Sequence, residues 1–432
     1  FCLAKISREL KDFGKAINYY EMLIKIKPNL LKAYCDLADC LKEQGNIKRA
    51  ITIYKKIVEI NPFTAEVYYN LGLAYQDNHN IESAIKYYRK ALKLKPNFYE
   101  AFNNLGTILK EKGNLSSAIN CLKQAINFNP SFHEAYNNLG TIYRERQDIE
   151  TSISYFKKAI NIKKEYPEAY NNLGITFKDK DDIQSAIASF KKALAINPRY
   201  AAAYCNLGNA YHDQGNFKLA IDSFNKALNI KSNFPEATWN LSFSQMFLDD
   251  YQTGWKNYEA RLKLGNQKIL HSHPKIPKWA GERLKKNEQL LVVSEQGLGD
   301  TIHFMRYIPH LKSLGIDILF CAQESLHELI KTSGIHTNPL TPKQADLISK
   351  GKWIPLISLP LHLGVKKNNP IINQQYVFSP RDLSKKWESI LKKENKPTIA
   401  INWQGNPDLE KGACSGRSIN LEAFSPLAKI IN

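Results

Sequence analysis

Apolar and small residues return along the first 268 residues with a step of 34, and each step holds two stretches of helical periodicity separated by a polar turn. Leucines fall at Leu37, Leu71, Leu105, Leu139, Leu173, Leu207 and Leu241, and prolines at Pro28, Pro62, Pro96, Pro130 and Pro198. The pattern predicts six full helix-turn-helix units, over 31–64, 65–98, 99–132, 133–166, 167–200 and 201–234. A unit cut at its start occupies 1–30, and a degenerate one at 235–268 keeps Asn240, Leu241 and Tyr258. Small residues (Ala38, Gly72, Gly106, Gly140, Gly174, Gly208) on the first helix are expected to face small residues on the second (Ala50, Ala84, Ala118, Ser152, Ala186, Ala220), so that the two backbones approach closely. Aromatic residues such as Tyr68, Tyr88, Phe156 and Phe190 fill the wider gaps between units. A proline near the end of each unit stops the second helix; Lys164 and Ser232 stand in its place in two units, whose junctions are expected to be looser. The predicted fold is an α-solenoid, a right-handed stack of helix pairs stabilised by nearest-neighbour interfaces.

One polar position keeps the same step. Asn70, Asn104, Asn138, Asn172, Asn206 and Asn240 each precede the leucine, with Asp36 in the equivalent place in the first full unit. An amide both donates and accepts, so a column of them suits successive peptide groups of an extended polypeptide. The competing reading is that these asparagines bind water or cap neighbouring backbone, although a mid-helix position argues against capping. The 34-residue unit resembles the tetratricopeptide repeat, whose first helix turns this position toward a concave groove. The column itself is similar to the asparagine ladder of the O-linked N-acetylglucosamine transferases, whose superhelix grips protein substrates through it. The resemblance implies a polypeptide or protein partner in the groove.

Beyond residue 268 the period vanishes, and 269–286, with Pro274 and Pro277, reads as a connector. From there QLLVVS (289–294) reads as a buried strand, EQGLGD (295–300) as a glycine-bearing turn and Thr301–Leu314 as a helix. IDILFCA is a second strand candidate, and a helix follows near Ser325–Thr332. Strand, helix, strand predicts a parallel, doubly wound α/β sheet of Rossmann-like kind, one half spanning 287–378 and a second, incomplete half 379–432. The turn carries neither the phosphate-loop motif nor the three glycines of a dinucleotide fingerprint, and Gly297 and Gly299 are also explained by a tight turn. The run SEQGLGDTIHFMRYIPHLKSLG, with ISLPLHLG (357–364) and WQGNPDLEKGACSGRSINLEAFSPL (403–427), looks like bacterial tetratricopeptide proteins ending in a module similar to the heptosyltransferases of glycosyltransferase family nine. That likeness implies a two-lobed GT-B architecture, a nucleotide-sugar donor and no metal. It places Asp300 as general base, Gly297 and Gly299 at the donor turn, and Arg417 in the loop after the strand PTIAINW (397–403), against the donor diphosphate. The plainer readings are a helix N-cap for Asp300 and a surface ion pair for Arg417. Two functions follow: a protein-binding superhelix fused to a sugar transferase, or a scaffold whose second unit is a degenerate transferase fold.

Charge and cysteines narrow the partners. Lysines and arginines outnumber acids 60 to 41, a net charge of +19. Many recur at one repeat position (Lys55 and Lys56, Arg89 and Lys90, Lys157 and Lys158, Lys191 and Lys192), a dispersed solvated face and not a phosphate track, so nucleic acid is not an expected partner. Seven scattered cysteines without zinc-site spacing suit a reducing, cytoplasmic setting. His303 with His310, and His271 with His273, lack a third metal ligand and are expected to be structural. No apolar run reaches the roughly 18 residues of a membrane span. The chain opens at Phe1 without a leader and stops at Asn432 inside a helical pattern, so both ends are expected to be truncated and this stretch inactive as a transferase by itself.

Overall fold

A computed structural model describes residues 1–265, 270–371 and 374–378, together with Asp382 and Lys385. The chain divides into two compact units, Phe1–Gly265 and Asn266–Asn432.

The first unit is helical throughout. A short α1 (Cys2–Glu9) and α2 (Phe13–Ile26) precede α3 (Leu31–Glu43) and α4 (Ile47–Ile60), α5 (Ala65–Asp77) and α6 (Ile81–Leu94), and α7 (Tyr99–Glu111) and α8 (Leu115–Phe128). They continue as α9 (His133–Glu145) and α10 (Ile149–Ile162), α11 (Pro167–Asp179) and α12 (Ile183–Ile196), α13 (Ala201–Asp213) and α14 (Phe217–Ile230), and α15 (Pro235–Phe247) and α16 (Tyr251–Tyr258). Each odd-numbered helix from α3 onward is the first of its pair. Successive first helices touch one another (α7 with α9, α9 with α11, α11 with α13, α13 with α15), whereas second helices meet chiefly the helices before and after them in the chain. Helices drawn together on one side bend the stack toward that side. The first helices therefore line its inner, concave face.

Local chemistry fixes the turns. Asp12, Asn46, Asn80, Asn114, Asp148, Asp182 and Asp250 cap the second helices, each side chain accepting the N–H of the third helical residue, as Asp182 does from Ser185 at 3.0 Å. The residue before several of these caps takes a left-handed backbone: Gly45 and Gly113 do so at no steric cost, while Gln147 (φ 62°) and Asp181 (φ 64°) bear a Cβ there. Second helices end two residues before Pro62, Pro96, Pro130 and Pro198, and α10 and α14 end at the same step although Lys164 and Ser232 replace the proline. In those two units a proline instead opens the next helix at Pro167 and Pro235, and the preceding Tyr166 and Phe234 become more extended (φ −128° and −133°). The proline is moved three residues on, and helix length is kept.

Packing inside each pair differs from the small-against-small expectation. A Cβ built on Gly72, Gly140, Gly174 or Gly208 would lie 2.5–2.7 Å from the ring of Tyr88, Phe156, Phe190 or Phe224, and one on Gly106 would lie 2.8 Å from Leu122. The glycine makes room for a large side chain of the second helix, and the four rings are fully buried. Ala84, Ala118 and Ala186 are buried with them.

The second unit is built on three four-residue strands, β1 (Leu290–Val293), β2 (Ile318–Cys321) and β3 (Lys352–Pro355), all parallel in the order β2-β1-β3. Every residue of β1 is buried, as in a sheet covered on both faces. Leu290 and Val292 pack with Phe320 and Ile354 on one side; Leu291 and Val293 pack with Cys321 and Ile276 on the other. Three departures from expectation appear. The helix foreseen over Thr301–Leu314 is two, α17 (Leu298–Phe304) and α18 (Tyr307–Ser313), because Pro309 has no N–H to return to Met305. Strand β3 was not foreseen, since KWIP is short and bounded by a lysine and a proline. The stretch read as a connector belongs to the sheet: Trp279 and Ile276 are buried, and Trp353 N–H donates to the Pro277 carbonyl at 3.0 Å while Trp279 N–H donates to that of Trp353 at 2.7 Å. The GT-B resemblance thus appears, among the described residues, as one small parallel sheet. The proposed second half (379–432), PTIAINW and Arg417 lie outside the described residues.

Candidate functional site

The asparagine column stands on the inner helices, on α5, α7, α9, α11, α13 and α15, and its side chains are half-buried. Its amides have partners that neither sequence reading foresaw. Asn138 Nδ2 donates to Asn103 Oδ1 at 2.8 Å, Asn172 Nδ2 to Asn137 Oδ1 at 3.0 Å, and Asn206 Nδ2 to Asn171 Oδ1 at 2.9 Å. Asn104 Nδ2 reaches the Tyr69 hydroxyl at 3.0 Å, and its own Oδ1 accepts from Asn103 at 3.2 Å. Each bond spans 35 residues and ties one unit to the unit before it. Beside the end of the column, burial pushes the Cys205 thiol up to about 11.

These bonds use one N–H of each amide. The Oδ1 atoms of Asn138, Asn172 and Asn206 accept no hydrogen bond among the described residues; the Nδ2 groups of Asn172 and Asn206 keep a second hydrogen, while that of Asn138 also reaches Thr107 Oγ1 at 3.4 Å. The inter-unit bond holds the amide plane in place and leaves these acceptors unused. Among the described residues Asn70 makes no side-chain hydrogen bond, and Asp36 departs most, being 4 % exposed with Oδ1 3.3 Å from Lys32 Nζ and no hydrogen-bond partner there for Oδ2. The partner residues were legible as a doubled asparagine at 103–104, 137–138 and 171–172, of which the sequence reading used only the second.

A second ladder runs one and a half turns further along the same helices. Arg8 pairs with Glu43 at 2.7 Å, Lys42 with Asp77 at 3.7 Å, Lys110 with Glu145 at 2.8 Å, Arg144 with Asp179 at 3.9 Å and Lys178 with Asp213 at 2.9 Å. Each cation again meets the carboxylate 35 positions on. The series breaks once: Gln76 occupies the cation's place before Glu111 and instead accepts from the Tyr88 hydroxyl at 2.9 Å. A step of 35 is the signal that finds both ladders; a self-comparison at 34 hides it.

In the second unit the EQGLGD turn leaves the carboxyl end of β1, the central strand. Gly297 is the N-cap of α17, and its N–H donates to Asp300 Oδ2 at 3.0 Å. Asp300 is thus the third helical residue, its carboxylate reaching back to the N-cap N–H as in the half of a capping box that a glycine N-cap allows, where the expected capping position was the N-cap itself. Gly297 (φ −86°) and Gly299 do not supply the left-handed residue of the turn, which is Gln296 at φ 62°. Beside it Thr301 Oγ1 donates to Gln323 Oε1 at 2.9 Å, His271 Nδ1 lies 2.8 Å from Ser294 Oγ, and burial lowers the His271 imidazole below its usual range. His303 Nδ1 lies 3.0 Å from an Arg306 guanidinium nitrogen. No group of three ligating side chains suited to a metal ion occurs among the described residues. None of their helices is long and apolar enough to cross a membrane. The described cysteines are free thiols.

Residues 38–78, 106–143, 140–181 and 176–215 match a family model described as TPR repeat, and 3–30, 65–98, 87–120 and 201–234 match models described as tetratricopeptide repeat. Among solved structures, the chain is similar to the APC/C hetero-tetramer Cut9-Hcn1, at 22% identity over 60% of this chain and 51% of that one with a TM-score of 0.48. It therefore spans about half the length of that relative. It is also similar to yeast Tom70 (20% identity, 60% of this chain and 56% of that one, TM-score 0.47) and to MamA (28%, 38% and 95%, TM-score 0.34). No curated protein matches the chain.

Proposed function

From a chain that belongs, over residues 3–234, to the tetratricopeptide repeat family, we propose a polypeptide-binding module whose contact surface is the inner face of the first helices. The observation that carries this reading is the set of amides held in register by inter-unit bonds, with Oδ1 of Asn138, Asn172 and Asn206 unused. Their recurrence at one register position matches the repetition of an extended main chain, which offers a donor and an acceptor at every residue. Side-chain-independent bonding of that kind gives tolerance of sequence.

The test removes the amides and watches both binding and fold. Asn138→Ala with Asn172→Ala is expected to weaken capture of an uncharged extended peptide about tenfold, since two net hydrogen bonds contribute roughly 0.5–1.5 kcal/mol each. Fluorescence anisotropy reads the affinity, and a thermal melt measures the separate loss of the inter-unit bonds. Unchanged affinity in a folded variant contradicts the proposal.

A second reading concerns the other unit. The turn at Gly297–Asp300 sits where the chain, having made β1, places β2 on one side and β3 on the other, and such switch points at carboxyl ends of strands favour ligands. We infer from this, and from the family resemblance, a nucleotide-sugar transferase role in which Asp300 exchanges its Gly297 contact for an acceptor hydroxyl, with Gly297, Gly299 and Arg417 toward the donor. Turnover of a nucleotide-sugar separates it from a scaffold, on which the solenoid binds polypeptide and nothing is transferred.

A further inference from the structure

Charge is sorted by helix in a way the net value of +19 conceals. The seven first helices α3 to α15 carry five cations and thirteen carboxylates, net −8, whereas the six second helices α4 to α14 carry fifteen cations and four carboxylates, net +11. The first helices, which line the inner face, are therefore acidic within a strongly basic protein. Carboxylates open most first helices, one turn before the asparagine column (Glu66, Glu100, Glu134, Glu168, Glu236), and close six of them. Most of the closing acids are neutralised by the neighbouring unit. Glu111, at the centre of the series, is not, because its expected partner is Gln76.

An independent observation lies at the amino-terminal end of the solenoid. A cavity of about 560 Å³ there is lined by Tyr20 and by the carboxylates of Glu9, Asp36 and Glu43, with the cations Lys5, Arg8 and Lys11 at its walls. Both Tyr20 and Asp36 are at least nine-tenths buried, and Tyr20 Oη and Asp36 Oδ2 have no hydrogen-bond partner. A buried carboxylate oxygen without a donor costs free energy that a ligand N–H recovers.

We propose that the segment bound in the groove is cationic, a lysine- or arginine-bearing extended polypeptide whose ammonium or guanidinium groups complete the missing rung at Glu111 and satisfy Asp36. This rests on the polypeptide-binding reading and adds the chemistry of the partner. The main chain pairs with the amide column, and basic side chains reach the acids on either side of it. The basic second helices repel such a segment, so only the inner face accepts it; an acidic polypeptide is driven to the outer face instead.

The test uses the full chain and three labelled twelve-residue peptides of matched length, lysine-, glutamate- or serine-substituted at alternate positions of a glycine–serine backbone. In anisotropy titrations the lysine peptide is expected to bind at least tenfold tighter than the serine peptide, with an advantage that shrinks as salt rises. Glu111→Gln is expected to weaken the lysine peptide three- to tenfold and to leave the serine peptide unchanged; a melting curve confirms the fold. Equal binding of lysine and serine peptides, or preference for the glutamate peptide, overturns the cationic proposal while the polypeptide reading stands. Binding of none of the three overturns both.

Discussion

Phe190→Ala is expected to lower solenoid stability by about 3–5 kcal/mol, the cost of emptying a fully buried aromatic site. The ring is 0 % exposed and lies over Gly174, where an added Cβ would be 2.6 Å from Cε1. The ring belongs to one buried cluster with Ala186, Ala193, Ala203 and Leu207, and Gly174 lies directly beneath it. The stack is held by interfaces between neighbours, so the loss falls on α11 and α12 and on the helices that flank them. Urea denaturation followed by circular dichroism reads it as a lower midpoint, or as a separate early transition. A change under about 1 kcal/mol would mean that the ring is not the keystone of its pair.

Gly174→Val is the complementary change and is expected to destabilise by roughly 1–3 kcal/mol through overpacking. Two effects oppose each other. Removing a mid-helix glycine returns several tenths of a kcal/mol of helix propensity, whereas the new side chain must displace a ring held on all sides. The steric term is the larger, because the clash begins at the Cβ itself. Ala38 occupies the same register position in its own unit, so one methyl has a precedent in this chain and valine is the decisive choice. Gly174→Val combined with Phe190→Ala is expected to be less unstable than the two losses added, since the valine enters the space the ring leaves. Strict additivity in the double-mutant cycle would show that the two residues do not touch.

Both predictions rest on positions that the sequence displays openly. Gly174 and Phe190 recur every 34 residues, and a step of that length with helical periodicity inside it leaves little freedom in helix number, length or order. What faces what was harder to read. The glycines were matched with alanines of the second helix because both are small, but a helical side chain leans toward the amino terminus, and it is the ring one turn further along the second helix that reaches over the glycine. The asparagine column was legible as a column, and its inter-unit bonds were not, because adjacent units are offset so that contacts fall 35 residues apart while identities fall 34 apart. Arg8–Glu43 and Lys178–Asp213 were hidden for the same reason.

The second unit was read less completely, for a different physical reason. Leu290–Val293 and Ile318–Cys321 announce themselves as buried apolar runs between turns. Lys352–Pro355 does not, since its strand character comes from pairing with β1 and from Trp279 packing nearby, both tertiary effects. The placement of Asp300 depended on one residue of helix phase. Aspartate suits an N-cap and the third helical position alike, and only the observed start of α17 at Leu298 decides between them.

The inner face as the binding surface is tested most directly by the side-chain amide signals of Asn138, Asn172 and Asn206 in an NMR titration with an extended peptide. Binding along the first helices predicts that these three Nδ2H2 pairs shift and broaden together, ahead of any signal from the lysine-rich second helices. Saturable binding that leaves all three unmoved, while residues around Lys157, Lys158, Lys191 and Lys192 respond, would contradict it.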